Sequence, residues 1–518
     1  MNSRTTVSLE KRAQRQLMPG LRNSDPTMNA IFKPALILMV GRTFGFVVAF
    51  CLPVVLVRVF DPAGFGTYKQ LFLIYGTLFG IAQLGMAESL YYFLPNASQN
   101  GGRYVLNAAL ALAIAGCLCV GVLAGARTTI SSWMGNSHLA PLLPFLGVFL
   151  LLTLPAATLE ITMIARQRYP WASWSYVLSD LARATFCLIP VLVLPTLEVL
   201  LLGVIAFALL RLGAAWWYLQ DEFDGTLRPD LGVLKQQLRY ALPFEMAVLV
   251  EIVQANFHQY AVSYRFDAAT FAIYAVGCLQ IPLLDLVSTS TCTVMMVQMA
   301  ELIHAGRGHA VVALWHDTTR KLALIFFPLV GLLLVNAREL IVLLYTENYL
   351  ASVPIFMVSC LFILLAVFQI DGVLRVYAQT RFLFVLNVTR LLVIVAFMQW
   401  FLSTLHLLGA VLITVLAAAI GRGLGLARMK RLMEVGLTDL LPWSSLAAIG
   451  GVAAIAGVPA LIVKSSAGLP TLPLLVTTSL VYTASFLALA IGFRVFRDTE
   501  LAVITSWLRW RIVGPSKA

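Results

Sequence analysis

Charge is scarce in this sequence. Charged residues make up 12% of the 518 and hydrophobic ones 60%, which leaves too little polar surface to cover a water-soluble globule of this size. Cysteine is sparse and poorly placed for cross-linking. Cys51, Cys117, Cys119, Cys187, Cys278, Cys292 and Cys360 all fall inside apolar runs and none in a loop, so no disulfide framework is expected. His138, His258, His304, His309, His316 and His406 lack ligand spacing, so neither a metal site nor a cofactor is expected. The gaps between apolar runs are short, the external ones hold no Asp-x-Asp pair, and no nucleophile lies beside a base; these absences count against an enzyme. A cleavable leader is missing as well: about thirty polar, basic residues (Arg4, Lys11, Arg12, Arg15, Arg22, Lys33) precede the first apolar run, which is expected to be retained.

Long apolar runs, by contrast, fill the chain. They lie near 34–57, 67–93, 104–125, 140–164, 170–194, 196–218, 241–264, 269–296, 322–340, 351–374, 382–403, 405–424, 443–463 and 470–493. Each approaches the ~20 residues that cross a ~30 Å hydrocarbon core. Together with a mean hydropathy of +0.88, they predict an all-α polytopic membrane protein of about 14 transmembrane helices.

The basic residues fix an orientation. With the N-terminus inside, 26 of the 36 Lys and Arg lie on the cytoplasmic side and six on the other (Arg58, Lys69, Arg127, Arg265, Arg338, Lys464). The remaining four, Arg42, Arg183, Arg211 and Arg390, fall within spans. Both termini are therefore expected in the cytoplasm. The net charge of +12 is then a topology signal with some attraction to anionic membrane lipids, and it calls for no nucleic acid.

The sequence also repeats itself. Phe60-Asp61-Pro62-Ala63-Gly64-Phe65-Gly66-Thr67-Tyr68 and Phe266-Asp267-Ala268-Ala269-Thr270-Phe271-Ala272-Ile273-Tyr274 agree at five of nine positions with an offset of 206. Leu139-Ala140 with Phe145 is echoed by Leu350-Ala351 with Phe356 at offset 211, and Ala165 to Tyr169 shares an Ala-x-x-Arg-aromatic pattern with Ala378 to Phe382. Three echoes in one order argue for two pseudo-symmetric six-helix lobes plus a C-terminal helix pair. The expected division is a basic tail (1–33), an N-lobe (34–219), an inter-lobe loop (220–240), a C-lobe (241–428), extra spans (443–493) and a C-terminal tail (494–518). Asp61 and Asp267 are expected to cap the helices that follow them, with Pro62 in a first turn. Gly41 and Gly45, four apart, suit a close helix approach.

Several of these segments resemble a known family. Arg58 to Tyr68, followed by Gly85-Met86-Ala87-Glu88-Ser89-Leu90, is similar to the first hairpin of the Wzx-like oligosaccharide flippases. These form the polysaccharide-export branch of the multidrug/oligosaccharidyl-lipid/polysaccharide (MOP) superfamily. Leu234 to Pro243 resembles that family's start of the second lobe, and Leu344 to Pro354 its approach to span ten. The resemblance covers about residues 30–430. It implies alternating-access transfer of a lipid-linked oligosaccharide, typically on undecaprenyl diphosphate, from the cytoplasmic to the periplasmic leaflet of a bacterial inner membrane.

A diphosphate needs cationic donors at membrane depth, and an intramembrane arginine is costly enough to invite a functional reading. Arg42, Arg211 and Arg390 lie roughly 10–14 Å from the cytoplasmic face and Arg183 about 20 Å deep. They form the candidate cationic cavity, against the alternative that long side chains near span ends merely snorkel to the headgroups. Arg183 has Asp180 one turn earlier, so a structural pair competes with ligand contact. Glu251 in span seven and Asp285 in span eight, beside Ser288, Thr289, Ser290, Thr291 and Thr293, are candidates for coupling to H+ or Na+, with helix packing as the alternative. Asp371, four residues before Arg375, is expected to pair locally. Polysaccharide polymerase or export machinery is a possible partner on this reading. Two other classes stay open: a drug or organic-cation exporter of the same superfamily, and a membrane-embedded polymerase or ligase.

Overall fold

The computed structural model describes residues 26–497 apart from Ser98, Gln99 and Gln280, together with Glu500. The side chains of a few helical residues, Arg42 and Lys33 among them, lie outside this description, as do the basic tails. Every regular element among the described residues is a helix. The first part of the chain runs through α1 (Pro26–Val59), α2 (Pro62–Ala82), α3 (Met86–Phe93), α4 (Gly101–Gly125), α5 (Arg127–Trp133), α6 (Leu143–Ala156), α7 (Thr158–Ala165), α8 (Tyr169–Val193) and α9 (Leu197–Glu222). The second part begins with α10 (Leu231–Arg265), α11 (Ala268–Gly277), α12 (Pro282–His304), α13 (Gly308–Val335) and α14 (Ala337–Tyr345). It continues through α15 (Val353–Ser359), α16 (Leu361–Ala366), α17 (Ile370–Val376), α18 (Thr380–Leu432), α19 (Trp443–Ser466) and α20 (Thr471–Gly492).

Ten helical stretches among the described residues are long and apolar enough to cross a bilayer, or eleven when α2 and the segment Met86–Asn96, bent by 41°, count as one span. This is fewer than the fourteen expected, and three places bear on the difference. α18 counts once, although 53 residues would extend about 80 Å if straight. His406 there adopts φ 49°, and Gly409 lies against the carbonyl of Phe401, so the chain folds back on itself. α10 carries more polar residues than the other long helices, and in α1 the apolar stretch among the described residues is Val47–Val59.

The repeat is visible in local geometry. Asp61 and Asp267 share nearly the same extended backbone, φ −66°, ψ 165° and φ −69°, ψ 169°, and each accepts a hydrogen bond from the amide three residues on, Gly64 at 3.0 Å and Thr270 at 3.3 Å. Each cap of this kind stabilises its helix by about 1 kcal/mol. At offset 211, Gln167 and Ala378 both take positive φ, and the amides after α7 and α17 bond back in the same pattern, Gln167 to Ile164 and Arg168 to Met163, Ala378 to Arg375 and Gln379 to Leu374. These are helix-ending turns closed by a left-handed residue. The Ala-x-x-Arg-aromatic echo, which aligns Ala165 with Ala378, is therefore two residues out of structural register.

The two repeated caps bring their helices together. α2 and α11 pack side by side, and Gly66 lies so close to the carbonyl of Ala268 that a Cβ would overlap it. Around this point Arg58 donates to the carbonyls of Leu343 at 2.6 Å and Leu344 at 2.9 Å, and Phe65 packs against Tyr345 and Tyr349 with ring centres 6.3 and 5.8 Å apart. A buried polar group completes the seam: Gln70 donates to Ser263 Oγ at 2.7 Å and accepts from Asn136 Nδ2 at 2.6 Å. The end of the bundle carrying the caps is thereby sealed.

At the opposite end the bonds are more exposed. The Arg103–Asp230 ion pair (3.1 Å) and reciprocal Asn107–Asp230 bonds to the main chain tie α4 to the start of α10. Asp230 caps α10; the amides of Val233 and Gly232, and Arg103 beside them, hold its carboxyl below the usual range. The cap starts α10 ten residues before the apolar run at 241, inside the segment expected to be loop. Lys235 and Arg239 hid the helix from a hydropathy reading. With 35 residues, α10 spans about 52 Å, and Pro243 interrupts its hydrogen-bond ladder.

Elsewhere, Gly41 and Gly45 of α1 lie against Ser173 and Asp180 of α8, the close approach their spacing suggested. The C-terminal pair α19 and α20 is joined to α13 and α14 near both ends: Lys464 pairs with Glu339 at 2.6 Å, Thr478 bonds Asn336, and Arg320 pairs with Glu500.

Replacing Gly66 by Val should push α2 and α11 apart. In a chain whose seven cysteines are changed to Ser, a probe thiol at Phe65→Cys should react slowly with maleimide and several-fold faster once Gly66→Val is added. An unchanged rate would mean that this contact does not form the seal.

Candidate functional site

The polar character of α10 lies largely on one stripe. Glu251, Gln254 and His258 follow the i, i+3, i+7 spacing that places residues on one helical face. Gln254 and His258 line a cavity of about 380 Å³, within the ~300–1,000 Å³ typical of small-molecule sites. Glu251, exposed, stands one turn before them. Nδ1 of His258 is 2.6 Å from the Tyr274 hydroxyl, and Oε1 of Gln254 is buried with no hydrogen-bond partner among the described residues.

The far wall comes from a broken helix. α11 ends at Gly277 and α12 starts at Pro282, a residue suited to a first turn because its missing N–H would be unbonded there anyway. Asp285 therefore stands in the first turn of α12 rather than mid-span, where the positive helix end favours a carboxylate. Asp285 and Ser288 line the cavity, and Ser288 Oγ accepts from Gln369 Nε2 at 2.5 Å. Ile394 and Thr414, from the two arms of α18, close it.

Arg390 sits one turn before Ile394 on α18. Its Nη1 reaches Asn387 Oδ1 at 3.4 Å, while Nε and Nη2 are buried and find no hydrogen-bond partner among the described residues. Its guanidinium lies against Gly421, between the arms of α18. Asp371, Arg422 and Glu251 are the charges whose fields reach it. Asp371 is engaged elsewhere: it pairs with Arg422 at 2.9 Å rather than with Arg375 on its own helix, because Arg422 comes alongside when α18 folds back.

The other arginines of the candidate set are placed differently. Arg183 pairs with Asp180 at 2.8 Å, the local alternative the sequence left open. Arg211 pairs at 2.9 Å with Glu160, a buried carboxylate that also accepts from Ser175 at 2.9 Å. Glu160 was missed in the sequence; it is the one carboxylate in the apolar run 140–164, and that isolation was its signal. The Arg42 side chain lies outside the described residues. The structure thus brings Glu251, Asp285 and Arg390 to the surroundings of one cavity, and keeps Arg183 and Arg211 in the first part of the chain with acidic partners.

The model of the family described as "Polysaccharide biosynthesis protein" matches residues 31–278. Among solved structures, the lipid II flippase MurJ in an inward closed conformation is similar at TM-score 0.68 and 13% identity, over 89% of this chain and 99% of that one. An inward-facing multidrug resistance MATE transporter of the MOP superfamily gives 0.59 at 13% identity, over 75% and 96% of the two chains. A MOP superfamily transporter from Pyrococcus furiosus, described as having a binding pocket of reverse polarity, gives 0.54 at 13%, over 78% and 96%. No curated protein matches the chain significantly in sequence. At these identities the structural likeness is one of fold, and the fold is that of the MOP transporters, in agreement with the resemblance read from the sequence.

Removing the carboxylate from Glu160 leaves the Arg211 guanidinium buried without its partner, a change that typically costs about 3 kcal/mol or more. Glu160→Ala should lower the melting temperature and the amount of folded protein in the membrane, and the double change with Arg211→Met should recover most of the loss. If the double variant is no more stable than Glu160→Ala, the pair is not what stabilises this part of the bundle.

Proposed function

Starting from a polytopic membrane chain with the fold of the MOP transporters, we propose that it flips a lipid-linked oligosaccharide, carried on a polyprenyl diphosphate of the undecaprenyl type, from the cytoplasmic to the periplasmic leaflet of a bacterial inner membrane. Both termini lie in the cytoplasm on this reading, so the sealed end with Asp61 and Asp267 faces the periplasm. The lobes at 34–219 and 241–428 then rock about that seal to give alternating access, and the flipped glycan passes to polymerase or export machinery. The match to the polysaccharide biosynthesis family supports the substrate class.

The observation that carries the reading is Arg390, a guanidinium next to a cavity with two buried nitrogens and, among the described residues, no carboxylate bonded to it. Guanidinium binds phosphate oxygens through paired charge-assisted hydrogen bonds, and an anionic ligand would complete what the chain leaves unfinished. On this reading Arg183 and Arg211, already paired, and Arg42 are the further cations met by the diphosphate on its path. On this reading Asp285 and Glu251 take up the coupling H+ or Na+ as the cavity opens and closes. The same two carboxylates favour a second reading, an exporter of organic cations, since an acidic cavity with Phe356 and Phe362 in its wall suits a positive ligand.

Deletion of the gene should trap lipid-linked oligosaccharide in the cytoplasmic leaflet. Arg390→Ala, present at normal levels, should reduce flipping by about tenfold or more, and Arg390→Lys should restore only part of it, as expected for loss of charge-assisted bonds worth about 1.5–3 kcal/mol. Normal flipping in the deletion strain, with increased sensitivity to cationic drugs, would replace the flippase with the exporter.

A further inference from the structure

A second cavity, of about 480 Å³, opens at the end of the bundle opposite the caps. Tyr92 and Phe93 from the end of α3, Asn96 just after it, Asn100 immediately before α4, Tyr104 of α4 and Gln236 of α10 line it. Its rings are held in place. Phe93 stacks on Tyr104 with ring centres 5.1 Å apart and planes 13° from parallel. Tyr92 stacks on Tyr240 at 4.6 Å and 15°, and is still 53% exposed. The amides are only partly used: Tyr104 donates its hydroxyl to Gln236 Oε1 at 3.4 Å, and Asn96 Nδ2 donates to the Tyr92 carbonyl at 3.2 Å. The Gln236 amide nitrogen and the Asn96 amide oxygen therefore keep bonding capacity that nothing among the described residues takes up.

None of these lining residues carries a charge, although Arg103, Lys235 and Arg239 are close by in sequence. A phosphate or an ionic lipid headgroup would draw its affinity from charge-assisted bonds that this wall does not offer. A mainly polar wall of amides and hydroxyls, with the exposed Tyr92 ring beside it, suits a neutral polyhydroxylated ligand. The negative face of an aromatic ring attracts the weakly positive C–H face of a pyranose, and an amide can donate to one hydroxyl while accepting from its neighbour. The cavity also spans two parts of the chain, since α10 is fastened beside α3 and α4 by Gln237, which bonds Ser89 Oγ at 3.3 Å and the Tyr104 carbonyl at 3.1 Å.

We infer that this cavity is a saccharide subsite, in which the Tyr92 ring stacks on a sugar and Asn96, Asn100 and Gln236 bond its hydroxyls. The inference rests on the flippase reading for its ligand: on that reading this end faces the cytoplasm, where the glycan of an incoming substrate lies. The subsite holds the sugar, and Arg390 is left to the diphosphate.

The test uses the full-length protein in nanodiscs and, as probe, the free oligosaccharide repeat released by mild acid from the host's surface polysaccharide, without lipid or diphosphate. Binding is read by saturation-transfer NMR, with thermal melting to confirm that each variant is folded. The wild type should bind the probe. Tyr92→Ala and Gln236→Ala should each weaken binding by about tenfold, equivalent to about 1.4 kcal/mol, and Tyr92→Phe, which keeps the ring, should bind as the wild type does. No binding by the wild type, or equal binding by Tyr92→Ala and Gln236→Ala, overturns the inference. If the probe binds and these variants weaken it while the deletion strain still flips its lipid-linked glycan, the subsite stands and the flippase reading falls.

Discussion

At Gly66 the backbone of α2 comes to rest on the Ala268 carbonyl of α11, and much of the molecule is arranged by that contact. A helix can approach another this closely only where a side chain is absent. Because the two helices begin at equivalent caps, the contact joins the two repeats close to the start of each, and the bonds of Arg58 to Leu343 and Leu344, the Phe65 ring cluster and the Gln70–Ser263 bond gather around it. At the opposite end Gly102 of α4 lies against the main chain of Thr226, in the connection to α10 rather than in a second helix, and the other ties are side chains such as the Arg103–Asp230 pair, which stays within reach of water. Ion pairs of that kind contribute little each and exchange readily with solvent. The bundle is firm at one end and loosely tied at the other.

A second constraint is the cost of charge away from water. The first part of the chain meets it by pairing: Arg183 with Asp180, and Arg211 with a Glu160 that is itself hydrogen-bonded to Ser175. The second part pairs Arg422 with Asp371 and Lys464 with Glu339, and among the described residues gives Arg390 no bonded carboxylate. An unpaired cation in that setting is expensive unless something else meets it. The asymmetry between the two parts of the chain is therefore chemical as well as topological.

The helical class, the caps and the fold shared with the MOP transporters were legible in the sequence, because each depends on local pattern. Asp61-Pro62 and Phe266-Asp267 announce a helix start in their own few residues. Contacts that depend on which helices meet were not legible. Asp371 was assigned to Arg375 by helical spacing, and the fold-back of α18 at His406 gives it Arg422 instead. Glu160 carried a signal, isolation in an apolar run, but its partner is 51 residues away. The Ala-x-x-Arg-aromatic echo pointed to a true repeat by the wrong residues: the equivalence lies in the left-handed turns at Gln167 and Ala378, which share backbone geometry and not side chains. The start of α10 was hidden by the polar turn that carries it out of the apolar layer.

Pro243 gives α10 a property that an unbroken helix of its length would lack. Its ring cannot donate to the Arg239 carbonyl and displaces it, which makes this the point of easiest bending between two stiff arms. One arm carries Gln236 and Tyr240 at the surface; the other carries Glu251, Gln254 and His258 beside the interior cavity. A tilt imposed on the outer arm reaches the inner one through a single pivot, so the membrane surface and the interior are mechanically in series along one stretch of backbone.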